Sequence, residues 1–300
     1  MAINRAQLAK ELEPGLNALF GLEYARYENE AAQIFEQESS DRAFEEEVML
    51  VGFGQANVKA EGSAVGFDTA SESFTARYVH DTIALAFALT EEAVEDNLYD
   101  SLSARYTKAL ARSMAYTKQV RGANVLNDAF TVAGGDGVSL INTAHPTALG
   151  GNFSNRSATD ADLNETSLEQ AMIDIAGFID ERGLKIAMKG QKLILPVNSQ
   201  FIADRILEST LRVGTADNDI NAMKNMGMLP GGYTVNHYLT DTDAWFVKTD
   251  CPNGLKHFVR AALATGMEGD FDTGNMRYKA RERYSFGYSD PRAAYGSRGS

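Results

Sequence analysis

The chain has 300 residues, 44% hydrophobic and 23% charged, with a net charge of −13. That is enough for a large core or two joined domains, and so acidic a chain is not built to bind nucleic acid over its whole surface. The single cysteine, Cys251, excludes an internal disulfide, no apolar run is long enough to cross a bilayer, and the opening residues lack a secretory apolar stretch, so synthesis in a reducing cytoplasm is expected.

Charge is unevenly placed. Residues 1–50 carry 4 basic and 11 acidic side chains, net −7, and residues 251–300 carry 8 and 5, net +3. Ends of opposite sign attract within or between chains, although composition alone favours two solvated faces.

Residues 1–46 are helix-forming, with Leu8, Leu12, Leu16 and Leu19 at helical spacing. Pro14-Gly15 interrupts the stripe and predicts two short helices, or a helix and an arm. So thin a stripe buries little alone, and the segment is expected to lie against another surface, for example that of a neighbouring subunit. Residues 48–51 read as a strand. A Gly-, Ser- and Ala-rich stretch over residues 52–73 follows, too long for a hairpin turn. The chain returns over residues 74–89 as one strand, where Ile83, Leu85, Phe87 and Leu89 alternate with Ala84, Ala86 and Ala88. An extended two-stranded arm results. It is marginal in isolation, so its presence predicts a partner surface.

One long helix is expected over residues 90–121, with Thr90 as cap, Glu91, Glu92, Glu95 and Asp96 at its positive start, Arg112, Lys118 and Arg121 toward its end, and Gly122 closing it. Val94, Leu98, Leu102, Tyr106, Leu110 and Met114 fall at every fourth position. Such a stripe wraps slowly along a helix of roughly 48 Å, as when a spine crosses a twisted sheet.

Residues 128–254 read as a mixed α/β unit. A helix capped by Thr166 buries Leu168, Met172, Ile175 and Ile179 and closes at Arg182-Gly183. A strand over residues 192–197, a helix from Asn198 to Leu207, and strands over 228–237 and 244–247 follow. Beyond residue 255 a strand over 257–265, an acidic loop over 267–275 and a long strand over 276–288 are expected. On the last strand Met276, Tyr278, Ala280, Tyr284, Phe286 and Tyr288 share one face, into which Glu282 intrudes. Arg277, Lys279, Arg281 and Arg283 share the other, and four cations in a row seek carboxylates or phosphates.

Catalytic patterns are scarce. Gly134-Gly135-Asp136-Gly137 lacks the spacing of a phosphate cradle. The four histidines are scattered without metal-ligand spacing, Gly-x-Ser-x-Gly is absent, and Cys251 reads as an inert thiol. His145, before Pro146, is the position to inspect. Hydrogen bonding within its loop is the plainer reading, and a soluble α/β enzyme with a site near His145 is the alternative. No metal or cofactor is expected.

Several segments are familiar in wording and order. They are Ala43-Phe44-Glu45-Glu46-Glu47-Val48, Thr75-Ala76-Arg77-Tyr78, Thr90-Glu91-Glu92-Ala93-Val94-Glu95-Asp96-Asn97-Leu98-Tyr99-Asp100, Ala123-Asn124-Val125-Leu126-Asn127-Asp128-Ala129-Phe130, Asn142-Thr143-Ala144-His145-Pro146, and the closing stretch from Tyr284 to Ser297. From about residue 40 onward they resemble the Mu-like group of tailed-bacteriophage major head subunits. The resemblance implies an α+β, HK97-like capsid fold. Its parts would be an N-arm (1–46), an extended E-loop with its stem (47–89), a P-domain with the spine helix and β-sheet (90–127 and 255–288) and an α/β A-domain (128–254 and 289–300).

It further implies a non-enzymatic, self-assembling subunit of hexamers and pentamers, forming an icosahedral shell around double-stranded DNA held without sequence specificity. Intersubunit contacts would come from Lys59, Glu61 and Asp68 on the E-loop and from Glu268, Asp270 and Asp272 on the loop near three-fold contacts. Arg277, Lys279, Arg281 and Arg283 would meet acidic groups of a neighbour's E-loop or N-arm. Only about 46 residues precede the body, so a separate scaffolding protein is expected. A portal protein and a decoration or cement protein are further partners, with assembly in the host cytoplasm, residence in the virion and no membrane. Crosslinking through Lys59 is not expected. An encapsulin-like shell that loads enzymes is the alternative on the same fold.

Overall fold

A computed structural model describes residues 5–90, 99–211, 219–270 and 274–300. Helix α1 (Arg5–Arg26) runs through Pro14, and α2 (Glu30–Ile34) follows behind an Asn29 cap. The expected interruption at Pro14-Gly15 does not occur. Leu16 and Phe20, 5% and 2% exposed, seat the helix on Leu110, Ala111, Met114, Tyr278 and Ala280. The acidic leader therefore packs on its own chain through Leu16 and Phe20.

Strands β1 (Glu36–Ser39), β2 (Phe44–Val51), β3 (Ser71–Val79) and β4 (Asp81–Leu89) come next. The single strand expected over residues 74–89 is two. His80 is buried between the hydroxyls of Ser40 (3.0 Å) and Ser285 (2.9 Å), and the chain changes partner there. Before it, β3 pairs antiparallel with β2, from Phe44↔Val79 to Val51↔Ser71.

Helix α3 (Tyr99–Asn127) passes through Gly122 instead of ending there. The start expected from the sequence, with Glu91, Glu92, Glu95 and Asp96, lies outside the described residues. Gly122 is needed for close approach: a Cβ would sit 3.0 Å from the Ala31 methyl and 3.5 Å from the Phe286 ring.

Short β5 (His145–Pro146) and β6 (Asn152–Phe153) pair with each other. Helix α4 (Glu165–Ala176) is capped by Asn164 in a reciprocal box with Ser167, not by Thr166, and stops at Gly177. The stop precedes Gly183 because Phe178 turns into the core, after which Asp180 Oδ1 accepts the amides of Arg182 and Leu184 in a turn of its own. Then come β7 (Gly190–Leu195), α5 (Gln200–Glu208), α6 (Ala222–Met226), β8 (Tyr233–Val235), β9 (Trp245–Thr249), β10 (Leu255–Gly269), β11 (Met276–Tyr288) and β12 (Ala294–Ser297). Because β10 runs to Gly269, the first residues expected in the acidic loop are strand.

One sheet has the order β1-β10-β11-β4, with β1 parallel to β10 and the other pairs antiparallel. The other has the order β12-β9-β7-β8 and packs on α4 and α5 through Leu168, Met172, Ile175, Leu193, Leu195, Ala203 and Trp245. The first sheet buries one face of β11 under α1 and α3, as the alternation predicts. Glu282, 2% exposed on that face, takes Lys118 Nζ at 3.3 Å and the Tyr24 hydroxyl at 3.4 Å. Burial pushes its carboxyl up, against the opposing pull of Lys118 and Tyr24.

His257 on β10 is 4% exposed and stacked on Phe286 at 4.2 Å, with no hydrogen-bond partner at Nε2 among the described residues. Burial, with Lys118 adding to it, lowers its pKa to about 4. An unfolded chain titrates this histidine near 6.5, so below that pH the unfolded state takes up a proton that the fold refuses. The contribution is present above pH ~6.5 and is lost as the pH falls to about 4, a change of about 3 kcal/mol. Denaturant unfolding at pH 7 and pH 4.5 is expected to show this slope, and His257→Phe to flatten it. An unchanged slope in the variant would refute the assignment.

Candidate assembly surface

The β2–β3 hairpin is anchored at its base and uncovered beyond its neck. At the base, Lys256, 3% exposed in its side chain, pairs with Glu38 at 2.8 Å and with Glu47. Burial pulls its ammonium down, but the two carboxylates outweigh burial and raise its pKa. Tyr78 shares a 2.5 Å hydrogen bond with Ser289, and Ser289 in turn donates to Glu47. The Tyr78 and Phe258 rings meet edge to face at 4.8 Å.

The neck is gripped by Arg182. Its Nε donates to Gly52 O at 3.1 Å, its Nη2 donates to Thr69 O, and Asp68 lies 3.6 Å away. One guanidinium thus holds both sides of the hairpin against the α/β unit. Asp68 accepts the amides of Gly54 and Thr69, each at 2.8 Å. These amides, with Arg182 adding, hold its carboxyl below the usual range. Arg182→Ala is expected to raise amide exchange over residues 52–70 about tenfold with little change in melting, since hydrogen bonds near the surface contribute about 1 kcal/mol each. Unaltered exchange there would remove Arg182 from this role.

Beyond the neck, residues 52–70 form an irregular loop with a turn at Glu61-Gly62. Val58 and Phe67 are 100% and 99% exposed. Lys59 and Glu61 stand on this loop without an ion pair among the described residues.

A second surface is the outer face of the first sheet. Arg277, Lys279, Arg281 and Arg283 all point away from α1 and α3. They are flanked on β4 by Ala88, Ala86, Ala84 and Thr82, and on β10 by Glu268, Gly266, Ala264 and Ala261. The cations form a ridge between two strips of mostly small residues. Arg277 pairs with Asp270, and Arg283 donates to His80 O at 3.3 Å. Lys279 and Arg281 have no ion pair among the described residues, and Asp272 lies outside them. The ridge thus brings Glu268 and Asp270 beside Arg277, while Lys59, Glu61 and Asp68 belong to the separate loop.

His145 offers no open site. It is 0% exposed, with Nδ1 at 2.5 Å from Asp136 and Nε2 at 3.1 Å from Asn155 Oδ1. Asn155 donates to the carbonyls of Leu140, Pro291 and Ala294, so the cluster ties three segments together. Cys251 is largely buried, and burial, with Asp290 adding, raises its thiol pKa, which keeps it protonated and inert. Among the described residues no helix is long and apolar enough to cross a membrane.

Sequence reasoning read His145 as hydrogen-bonded within its loop, as it is, but missed Arg182, Lys256 and the ties that Asn155 makes to Leu140, Pro291 and Ala294. Arg182 stood beside a glycine that read as a helix end, and Lys256 meets Glu47 across 209 positions, a pairing no spacing rule reveals.

A hairpin with an uncovered loop and a bare basic sheet face are what a protein that assembles with copies of itself presents. From residue 73 to 297 the sequence matches the phage capsid protein family, and the chain belongs to that family. No curated protein matches the sequence. Among solved structures the fold is similar to a virus-like particle from Pyrococcus furiosus (TM-score 0.56, 10% identity, 94% of this chain and 97% of that one). It is also similar to the capsid of Myoviridae phage XM1 (0.53, 11%, 89% and 89%) and the procapsid of bacteriophage JBD30 (0.53, 14%, 98% and 76%). The fold is α+β and HK97-like, and the chain is a phage capsid protein.

Proposed function

We propose that this chain is the repeating subunit of an icosahedral shell, arranged in hexamers and pentamers and enclosing packaged double-stranded DNA. The observation that carries this reading is the loop 52–70, held at its neck by Arg182 while Val58 and Phe67 stand free in solvent. Two large apolar side chains on a fixed protrusion are covered only by another molecule, and family membership makes that molecule a second copy.

In this reading residues 47–89, β4 included, are the E-loop and its stem strands, α3, β10 and β11 make up the P-domain, and the second sheet with α4 and α5 forms the A-domain. The ridge from Arg277 to Arg283 meets acidic groups of a neighbour's E-loop or N-terminal segment. The net charge of −13 keeps DNA from adhering to the wall. Assembly takes place in the host cytoplasm with a separate scaffolding protein, a portal protein and a decoration or cement protein. The subunit performs no catalysis, and Lys59 forms no covalent crosslink. Membership of the Mu-like group is part of the same proposal.

Electron microscopy of the purified protein, with light scattering, tests the reading. Closed particles are expected from the wild type, and Val58→Ser with Phe67→Ser is expected to cut their yield at least about tenfold, since each substitution removes burial of roughly 1.5–3 kcal/mol. A wild-type protein that stays monomeric under all conditions, scaffolding protein included, would overturn it.

A further inference from the structure

We propose that β4 is a docking edge for residues 63–67 of a second copy, which add there as a fifth strand of the β1-β10-β11-β4 sheet. The inference rests on the shell-subunit reading and names the backbone contact through which two copies meet.

Among the described residues strand β4 ends the sheet and pairs only with β11. Residues 81–89 make no other backbone hydrogen bond among the described residues. The edge is nine residues long, where the outer strands β1, β12 and β8 have four, four and three. From Thr82 to Leu89 there is no charge and no proline, and the β11–β4 register has no bulge. Proteins protect long edges with these devices, because an open row of amides and carbonyls recruits another strand.

The edge also has an apolar shelf beside it. Leu85 is 46% exposed, Tyr106 is 50% exposed, and the Phe87 ring lies 5.8 Å from that of Tyr106. A fifth strand carrying large side chains on this face would cover them.

Residues 63–67 have the matching pattern. In extended form Val65 and Phe67 fall on one face, Ala64 and Gly66 on the other. Val65 and Phe67 are 66% and 99% exposed in their own chain, and they would continue the shelf of Leu85 and Phe87. Ala64 and Gly66 would extend the small-residue strip of Ala84, Ala86 and Ala88, leaving Lys279 and Arg281 free to reach outward over it. Five residues span about 17 Å, well within the roughly 27 Å of uncharged edge.

Amide exchange by mass spectrometry, on the wild-type subunit and on assembled particles, tests the proposal. Residues 82–89 are expected to exchange rapidly at the outward amides in the free subunit and at least tenfold more slowly in particles. In a Cys251→Ser background, Val65→Cys with Leu85→Cys is expected to give disulfide-linked ladders from particles on non-reducing gels. Particles that form normally with unchanged exchange at 82–89 overturn the strand addition and leave the shell reading standing. Slow exchange already in the free subunit overturns it as well, because the chain itself then covers the edge. Absence of particles from the wild type overturns both.

Discussion

Lys279→Glu combined with Arg281→Glu is expected to abolish particle formation while leaving the subunit folded. Both side chains stand on the face of β11 opposite the buried Tyr278, Ala280 and Glu282, and neither has an ion pair among the described residues. Their cross-strand neighbours are Ala86, Ala84, Gly266 and Ala264, so neither packs against a bulky partner whose loss would unsettle the sheet. Exposed substitutions of this kind usually change stability by less than about 0.5 kcal/mol. Between copies the effect is larger. If the ridge meets a neighbour's carboxylates, each reversal exchanges attraction for like-charge contact, which costs several kcal/mol, and at roughly 1.4 kcal/mol per factor of ten the yield falls by about a hundredfold or more. Circular dichroism melting reports on the fold, and light scattering with microscopy on assembly. Normal particles from the double variant would remove the ridge from the interface.

The second large effect is on the subunit itself. Arg292→Ala is expected to cost about 3–5 kcal/mol in denaturant unfolding, as when one member of a buried ion pair is removed. The Arg292 side chain is 3% exposed. It pairs with Glu181 at 2.9 Å and Asp290 at 3.2 Å, donates to Ile179 O at 2.7 Å and lies 4.2 Å over the Phe153 ring. Truncation strands Glu181, itself 4% exposed, with a single remaining donor in the Ala148 amide at 3.1 Å. Arg292→Lys keeps the charge but loses the planar fork, so it is expected to recover only part of the loss. A cost below about 1 kcal/mol would mean that water replaces the guanidinium.

Much of the fold was legible because period is a local property. The alternation over residues 276–288 identified both faces of β11, including Glu282 as the intruder, and the spacing of Leu168, Met172 and Ile175 identified the buried side of α4. Boundaries were less legible where a distant contact overrode a local signal. Pro14 and Gly122 normally break helices, yet Phe20 against Tyr278 holds α1 through the first, and the Ala31 methyl against Gly122 makes the second a point of contact. His80 divides a strand that looks continuous, because its partners Ser40 and Ser285 are remote in sequence. The basic ridge was readable as a pattern. That Arg277 and Arg283 have partners within the chain, while Lys279 and Arg281 have no ion pair among the described residues, depends on Asp270 and the His80 carbonyl, which alternation alone does not place.

The first sheet interleaves the two ends of the polypeptide: β1 lies against β10, and the seat of α1 is built partly from β11. A ribosome delivers a chain from its N-terminus at about 5–20 residues per second, so α1 waits until β11 has been made before its docking place is complete. The segment between can settle sooner, since its own sheet and helices lie mostly within residues 165–249, with β12 added last. Completion of the first sheet thus waits for β11, and a polypeptide translated short of that strand does not yet display the ridge to its sisters.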